Sequence, residues 1–132
     1  MIVIDTSAIF AIAAREPEAV AIRTLLKEPG EFAMSAFTVF ECRTVLHRRL
    51  PRAAQSEFNQ FLQLAGVQVD PFDQQMAEIA FAAYRTMGKG SGHKAQLNLG
   101  DCASYALAIA LDAPLLFKGS DFLHTDVKRA LA

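Results

Sequence analysis

The sequence predicts an α/β fold built around a parallel sheet. The first residues, Ile2–Ile4, form a short β-branched run bounded by polar residues, which is typical of a strand covered on both faces. Three more short apolar runs, within residues 31–36, 67–72 and 115–117, are also predicted as strands, and helical patterns separate all four. Strands that alternate with helices imply right-handed crossovers and a parallel sheet.

The composition indicates one folded domain that covers residues 1–132. The chain is long enough to bury a substantial core, and 52% of its residues are apolar against 20% charged. Those proportions exclude an intrinsically disordered chain. The net charge of −1 excludes a strong uniform field that attracts polyanions, so any surface that binds nucleic acid must be local.

The cysteines and the apolar runs predict the compartment. Cys42 and Cys102 form no C-x-x-C motif, so we interpret both as small buried hydrophobes in a reducing compartment. Asp5 interrupts the apolar N-terminus, which argues against an export signal. No internal apolar run approaches the ~20 residues that span a bilayer. We therefore expect a cytoplasmic protein with no membrane partner.

The helices are predicted from apolar periodicity and from their start and stop signals. A first helix follows Asp5, and Pro17 stands at the expected first position of a second helix that ends before Pro29. The later helices are predicted over residues 35–50, after Pro51 to Gly66, after Asp73, and from Gly100 onward, where the pattern is apolar nearly all round.

The stretch from Gly88 to Leu99 breaks this pattern, because three glycines alternate there with basic and polar residues. We predict a mobile basic loop. It is not a phosphate-binding P-loop, since no Ser or Thr follows Lys89 and no strand precedes it. The final residues, 124–132, are predicted as a small edge strand or a terminal turn.

Four acids stand at the ends of predicted elements rather than on solvent-facing helical stripes. Each has a structural explanation taken singly. Asp5 suits a helix N-cap, Thr38-x-x-Glu41 fits a capping box, and Asp101 suits the first turn of a helix. Asp121 could cap a short helix.

Taken together, the four acids favour a metal site. In a parallel sheet the carboxyl ends of the strands and the following helix N-termini share one edge, so the acids should converge. Two like charges about 4 Å apart repel by roughly 4 kcal/mol at an effective dielectric near 20, so a cluster needs protons or a cation. Oxygen ligands favour Mg²⁺ or Mn²⁺ over Zn²⁺, and the three histidines are too scattered for a zinc pattern.

Several separated motifs then resemble those of PIN-domain ribonucleases, and the match is closest to the VapC toxins of bacterial toxin-antitoxin systems. The resemblance spans the chain and keeps the order of its motifs. Ser120 stands where many relatives carry Asn, which leaves Asp121 in place. The motifs are Asp5-Thr6-Ser7, the helix bearing Glu41, the run through Lys89-Gly90 and His93 into Asn98-Leu99-Gly100-Asp101-Cys102, and Leu115-Leu116-Phe117-Lys118-Gly119-Ser120-Asp121-Phe122.

The resemblance implies a PIN-like three-layer α/β/α domain with a central parallel sheet of four or five short strands. It implies a metal-dependent endoribonuclease whose acidic pocket holds one or two Mg²⁺ or Mn²⁺ ions. The implied catalytic and metal-binding residues are Asp5, Glu41, Asp101 and Asp121. Around them, Thr6, Ser7 and Asp126 are implied as supporting residues.

The implied partners are an RNA substrate (tRNA, rRNA or mRNA), a second copy of the chain in a homodimer, and a cognate VapB-type antitoxin. The antitoxin tail is expected to lie across the active-site groove, with Phe10, Phe37 and Phe40 either as its apolar walls or as plain core. Positive groups should flank the acids to hold the RNA backbone. The candidates near the same motifs are Arg43, Arg48, Arg49, Arg52, Arg85, Lys89 and Lys94. Arg85, Lys89 and Lys94 lead, whereas the cluster of Arg48, Arg49 and Arg52 is more often a solvated helix end.

Other α/β classes fit the acids less well. A receiver-like phosphoacceptor domain needs an acidic pair after the first strand, where Asp5 stands alone. A haloacid-dehalogenase-type phosphatase needs a second Asp where Ser7 stands. The alternative that stays open is a non-catalytic RNA- or protein-binding module of PIN-like fold, in which replacing Asp5 or Asp101 leaves activity unchanged.

Overall fold

A computed structural model describes residues 1–132 and contains a four-stranded parallel sheet. The strand order is β3-β2-β1-β4, and every neighbouring pair is parallel. The α/β class and the parallel sheet are therefore confirmed, with four strands. They are β1 (Ile2–Ile4), β2 (Phe32–Ser35), β3 (Gln68–Asp70) and β4 (Leu115–Leu116).

Six helices connect and cover the strands, as predicted. The second helix begins at Ala19 rather than at Pro17, because the preceding residues form a turn in which the Ala19 N–H donates to the Glu16 carbonyl. The helices are α1 (Thr6–Ala13), α2 (Ala19–Lys27), α3 (Ala36–Arg49), α4 (Ala53–Leu64), α5 (Gln74–Met87) and α6 (Leu99–Ala110).

The helices lie on both faces of the sheet, which gives the three layers. Successive strand side chains point to opposite faces, so Val3 and Leu115 pack with α5 and α6, while Ile4 and Leu116 pack with α1, α3 and α4. Both clusters consist of fully or nearly fully buried side chains. Strands β1, β2 and β4 are therefore covered on both sides, as their continuous apolar runs predicted, whereas the edge strand β3 is largely exposed.

The remaining segments follow the same frame. The C-terminal residues run along the edge of β4, where the Leu115 N–H donates to the Lys128 carbonyl and the Ala130 N–H donates to Leu115. The basic loop is closed at its base by two backbone hydrogen bonds, from Lys89 to Leu97 and from Leu97 to Met87. Both cysteines are free and buried. No helix combines the length and apolar character needed to cross a membrane.

Candidate active site

The four predicted acids line one open cavity of about 530 Å³ at the carboxyl edge of the sheet. Asp5 follows β1, Asp121 follows β4, Glu41 lies on α3, and Asp101 lies in the first turn of α6. Only two of the 14 lining residues are hydrophobic, so the cavity is a polar one. The structure thus brings together residues that are up to 116 positions apart, while their roles stay a prediction.

Asp5 is the most buried of the acids, with 3% of its surface exposed. It N-caps α1 by accepting from the Ser7 N–H (3.0 Å), and it also accepts from the Ser7 hydroxyl at 2.7 Å and the Ser104 hydroxyl at 2.6 Å. Burial raises the pKa of Asp5, and the hydrogen bonds from Ser104 and Ser7 oppose that rise. The cap and the cavity-lining role therefore coexist in one carboxylate.

The hydroxyls on Asp5 are themselves held by further donors. The Lys118 backbone N–H donates to the Ser7 hydroxyl at 3.0 Å, and the Thr38 and Ser104 hydroxyls lie 3.2 Å apart. Because Ser104 has one proton and gives it to Asp5, Thr38 is the donor to Ser104. Sequence patterns do not single out Ser104, and they suggest Thr38 only as a helix cap. The only signal for this contact is a hydroxyl in each of two otherwise apolar buried helical faces.

Asp101 belongs to a capping box at the start of α6. Its carboxylate accepts from the Asn98 N–H at 3.0 Å, and the Asn98 side chain accepts from the Asp101 N–H at 2.8 Å. Burial raises the pKa of Asp101 to about 7. The hydrogen bond from the Asn98 N–H opposes that rise, and the charges of Asp5, Asp121 and Glu41 add to it by smaller amounts. The carboxyl is therefore poised between its neutral and charged forms near neutral pH.

Glu41 points from α3 toward the N-terminus of α6. Its carboxylate accepts from the Thr6 hydroxyl at 2.5 Å, and a Cβ on Gly100 would collide with it. Burial raises the pKa of Glu41, and the hydrogen bond from Thr6 opposes the rise. Gly100 is therefore part of the site because only glycine leaves room for this carboxylate.

Two of the helix-capping roles predicted from local sequence patterns, those of Glu41 and Asp121, are wrong. The N-cap of α3 is Ser35, which accepts from the Phe37 N–H, so Thr38 lies inside the helix and forms no capping box with Glu41. Asp121 is exposed and stands in a turn, and no helix begins after it. Both acids are thus free of the capping roles that local sequence patterns suggested.

The supporting residues divide between the cavity and another surface. Thr6 and Ser7 line the cavity and donate to Glu41 and Asp5. Asp126 does not line it; its carboxylate accepts from the Tyr105 hydroxyl at 2.7 Å. The structure therefore does not bring Asp126 to the acidic cluster, because the chain turns away after β4 and docks this segment on α6.

The cations that reach the cavity are not those favoured by the sequence. Arg85, Lys89 and Lys94 are absent from its lining, whereas Arg49 and Lys118 line it. Lys118 pairs with Glu16 at 3.4 Å. In a separate contact, the Arg43 guanidinium donates to Gln55 and Asn59 and joins α3 to α4.

The acids form a charged cavity rather than a preformed metal-ligand group. No three His, Cys, Asp or Glu side chains are close enough together to hold an ion as they stand. Asp5, Glu41 and Asp101 instead accept hydrogen bonds from Ser104, Thr6 and Asn98. Burial raises the pKa of each of these three acids, and no neighbouring cation offsets that rise. Their oxygen donors suit a hard divalent cation in charge and chemistry.

Sequence comparison identifies the family. The PIN domain family matches residues 2–128. Ribonuclease VapC28 of Mycobacterium tuberculosis is 43% identical over 129 residues, which cover 98% of this chain and 97% of that relative. Ribonuclease VapC42 of the same species is 41% identical over 128 residues, with coverages of 97% and 98%. The chain belongs to the PIN-domain family and, within it, to the VapC ribonucleases.

Solved structures agree on the fold. The M. tuberculosis toxin VapC20, described as cleaving the sarcin-ricin loop, superposes with a TM-score of 0.81 at 18% identity and covers all of both chains. A chain of the VapBC2 complex of Rickettsia felis, bound to promoter DNA, gives 0.71 at 17% identity and covers 98% and 97%. These neighbours confirm the three-layer PIN architecture.

Proposed function

We propose that this chain is a divalent-metal-dependent endoribonuclease that acts as the toxin of a toxin-antitoxin pair. Its membership of the VapC ribonucleases supports the reaction class. The observation that supports catalysis by this chain in particular is the convergence of Asp5, Glu41, Asp101 and Asp121 on one polar cavity. We place this function in a single domain over residues 1–132 and in the cytoplasm.

In this proposal Asp5 and Asp101 hold Mg²⁺ or Mn²⁺ directly, and Glu41 and Asp121 bind directly or through water. One or two ions would lower the pKa of a water nucleophile and offset the charge that builds on the phosphate and the leaving oxygen. The protein's own part is positioning. Ser7 and Ser104 fix the Asp5 carboxylate from two sides, and Thr6 orients Glu41.

The proposed partners are taken from the sequence relatives and from the structurally similar toxins. The substrate is RNA, whether tRNA, rRNA or mRNA; a solved neighbour is described as cleaving the sarcin-ricin loop. A VapB-type antitoxin is proposed because a toxin of similar structure was solved in a VapBC complex. A homodimer is proposed with it. Of the aromatic residues suggested for the antitoxin groove, Phe10 lines the acidic cavity and Phe40 is exposed.

RNA cleavage by the purified chain tests the proposal. Total cellular RNA is incubated with the protein in Mg²⁺, in Mn²⁺ and in EDTA, and new 5′ ends are mapped. Asp5→Asn and Asp101→Asn should each abolish the metal-dependent cuts. Asp126→Asn is the matched control, because it makes the same change outside the cavity.

The alternative, a non-catalytic RNA- or protein-binding module, makes the opposite prediction. Cleavage would be absent, or it would persist unchanged in EDTA and in Asp101→Asn. Either result would overturn the proposed function.

A further inference from the structure

Arg49 stands on the same face of α3 as Glu41. Glu41, Val45 and Arg49 are spaced four apart, and all three line the acidic cavity. With a rise of 1.5 Å per residue, the backbone of Arg49 lies about 12 Å along the helix from that of Glu41. α3 therefore carries an acid of the proposed catalytic cluster and, two turns further on, a cation of the same cavity.

The Arg49 guanidinium is held by an aromatic ring. Its central carbon lies 4.3 Å from the centroid of the Phe10 ring, which also lines the cavity. A cation over an aromatic face is attracted by the negative charge of the ring face. Stacking restrains the flexible side chain and leaves the N–H groups at the edge of the guanidinium free to donate. Those N–H groups form a planar fork that matches phosphate oxygens.

Arg49 also differs from the other cations nearby. The chain has two ion pairs, Lys118 with Glu16 and Lys128 with Asp112, and Arg49 belongs to neither. Among the residues that line the cavity, Lys118 is the only other cation, and Glu16 offsets its charge. Arg49 is thus the only cation of the cavity whose charge no carboxylate pairs.

RNA is a polyanion, so its binding at the acidic cavity requires a cation beside that cavity. The chain has a net charge of −1 and its catalytic cavity is acidic, so RNA is not drawn in by a general positive field. Affinity for a strand then depends on local contacts between cations and phosphates. A guanidinium restrained at one end of the cavity would supply such a contact before any chemistry takes place.

We propose that Arg49, held on Phe10, forms a phosphate-binding site for the RNA strand beside the phosphate that is cleaved. This inference deepens the proposed ribonuclease function and rests on it for the identity of the strand. Arg49 is a substrate-binding residue that places the strand on the acids. Arg49 is exposed like Arg48 and Arg52, but it alone of the three lines the cavity, so the interpretation as a solvated helix end is kept only for Arg48 and Arg52.

RNA binding measured without cleavage tests the inference. Asp101→Asn serves as the background, so that the probe, a short fluorescein-labelled single-stranded RNA of mixed sequence, stays intact. Fluorescence anisotropy should show a Kd about five- to tenfold higher for Arg49→Gln. The slope of log affinity against log salt should fall by about 0.7, the value for one lost contact to a single strand.

Arg48→Gln is the matched control, because it removes the same charge from the adjacent residue, which does not line the cavity. Its Kd should stay within twofold of the background. Phe10→Leu should weaken binding less than Arg49→Gln, because it removes the ring and leaves the charge. Arg49→Lys should recover part of the affinity, since the charge returns without the planar fork.

Equal Kd values for Arg49→Gln and Arg48→Gln would overturn the inference. That outcome leaves the proposed function intact if the parent chain still cuts RNA in Mg²⁺. In the cleaving protein, Arg49→Gln should raise KM about fivefold or more and change kcat less than twofold. If kcat falls and KM is unchanged, Arg49 does not act by binding substrate and the inference fails.

Discussion

Replacing Asp101 with Asn should stabilise the metal-free protein while abolishing its response to metal. Asn is nearly isosteric, and its amide oxygen can still accept from the Asn98 N–H, so the capping box at the start of α6 is preserved. The substitution removes a buried charge that has no cation beside it. Most substitutions of buried polar groups destabilise a fold, so a gain in stability here is a distinctive expectation.

The size of the effect follows from the pKa of Asp101. A folded-state value of about 7 against an ordinary 3.8 corresponds to at most about 4 kcal/mol of penalty for the charged form. Water penetration and side-chain relaxation reduce that limit, so we expect a gain of about 1–3 kcal/mol at pH 8. For a chain of this size each kcal/mol raises Tm by about 3–5 °C.

The sign of the pH dependence is fixed by the direction of the shift. Below pH 3.8 the carboxyl is protonated in both states and contributes nothing. Between pH 3.8 and about 7 the unfolded chain releases the proton while the folded chain keeps it, so the parent loses stability as pH rises. The gain of Asp101→Asn should therefore be small near pH 4 and largest above pH 7.

Thermal denaturation in EDTA, scanned from pH 4 to 8, measures this effect. Asp126→Asn is the matched control, since its carboxylate contacts only the Tyr105 hydroxyl at the surface. If Asp101→Asn is less stable than the parent at pH 8, the reasoning about an uncompensated buried charge is refuted.

Three further changes probe the site. The apparent affinity for Mn²⁺ should rise as pH goes from 6 to 8, because the ion displaces the proton of Asp101 and that proton is released on binding. Titration in buffers of different ionisation enthalpy counts the released protons, and an affinity that does not change with pH would contradict the raised pKa of Asp101. Ser104→Ala should lower the free energy of unfolding in urea by about 1–2 kcal/mol. It should also move the pH profile of cleavage to higher pH, since Asp5 loses a donor that lowers its pKa, and an unchanged profile would exclude an effect of Ser104 on Asp5. Gly100→Ala should lower kcat at least tenfold by displacing Glu41, while circular dichroism still shows the fold; normal activity would show that Glu41 can move without loss.

The fold was predictable because its signals are local. Strand runs such as Ile2–Ile4 and the N-cap Asp73 lie where short-range patterns place them, and the alternation of elements fixes the parallel class. The start of α2 was misplaced by two residues, because the backbone around Pro17 is used in a turn before the helix begins. Helix boundaries depend on such turns, which the apolar pattern does not report.

Only those site residues whose positions are fixed by the topology of the sheet could be predicted from the sequence. Acids after β1 and β4 must share an edge in a parallel sheet, so Asp5 and Asp121 could be grouped in advance. The contact between Thr38 and Ser104 joins residues 66 positions apart, and no local pattern indicates it. Arg49 differs from Arg48 only in the face of α3 that it occupies. Its spacing of eight residues from Glu41 was the available signal.

The most direct test of the central claim is Mn²⁺ binding to the metal-free protein, measured by titration calorimetry at pH 8. The parent and the Asp126→Asn variant should bind one or two ions with the same affinity, and Asp101→Asn should bind at least tenfold more weakly. If the parent binds no ion, or if Asp101→Asn binds as the parent does, the four acids do not form a divalent-metal site.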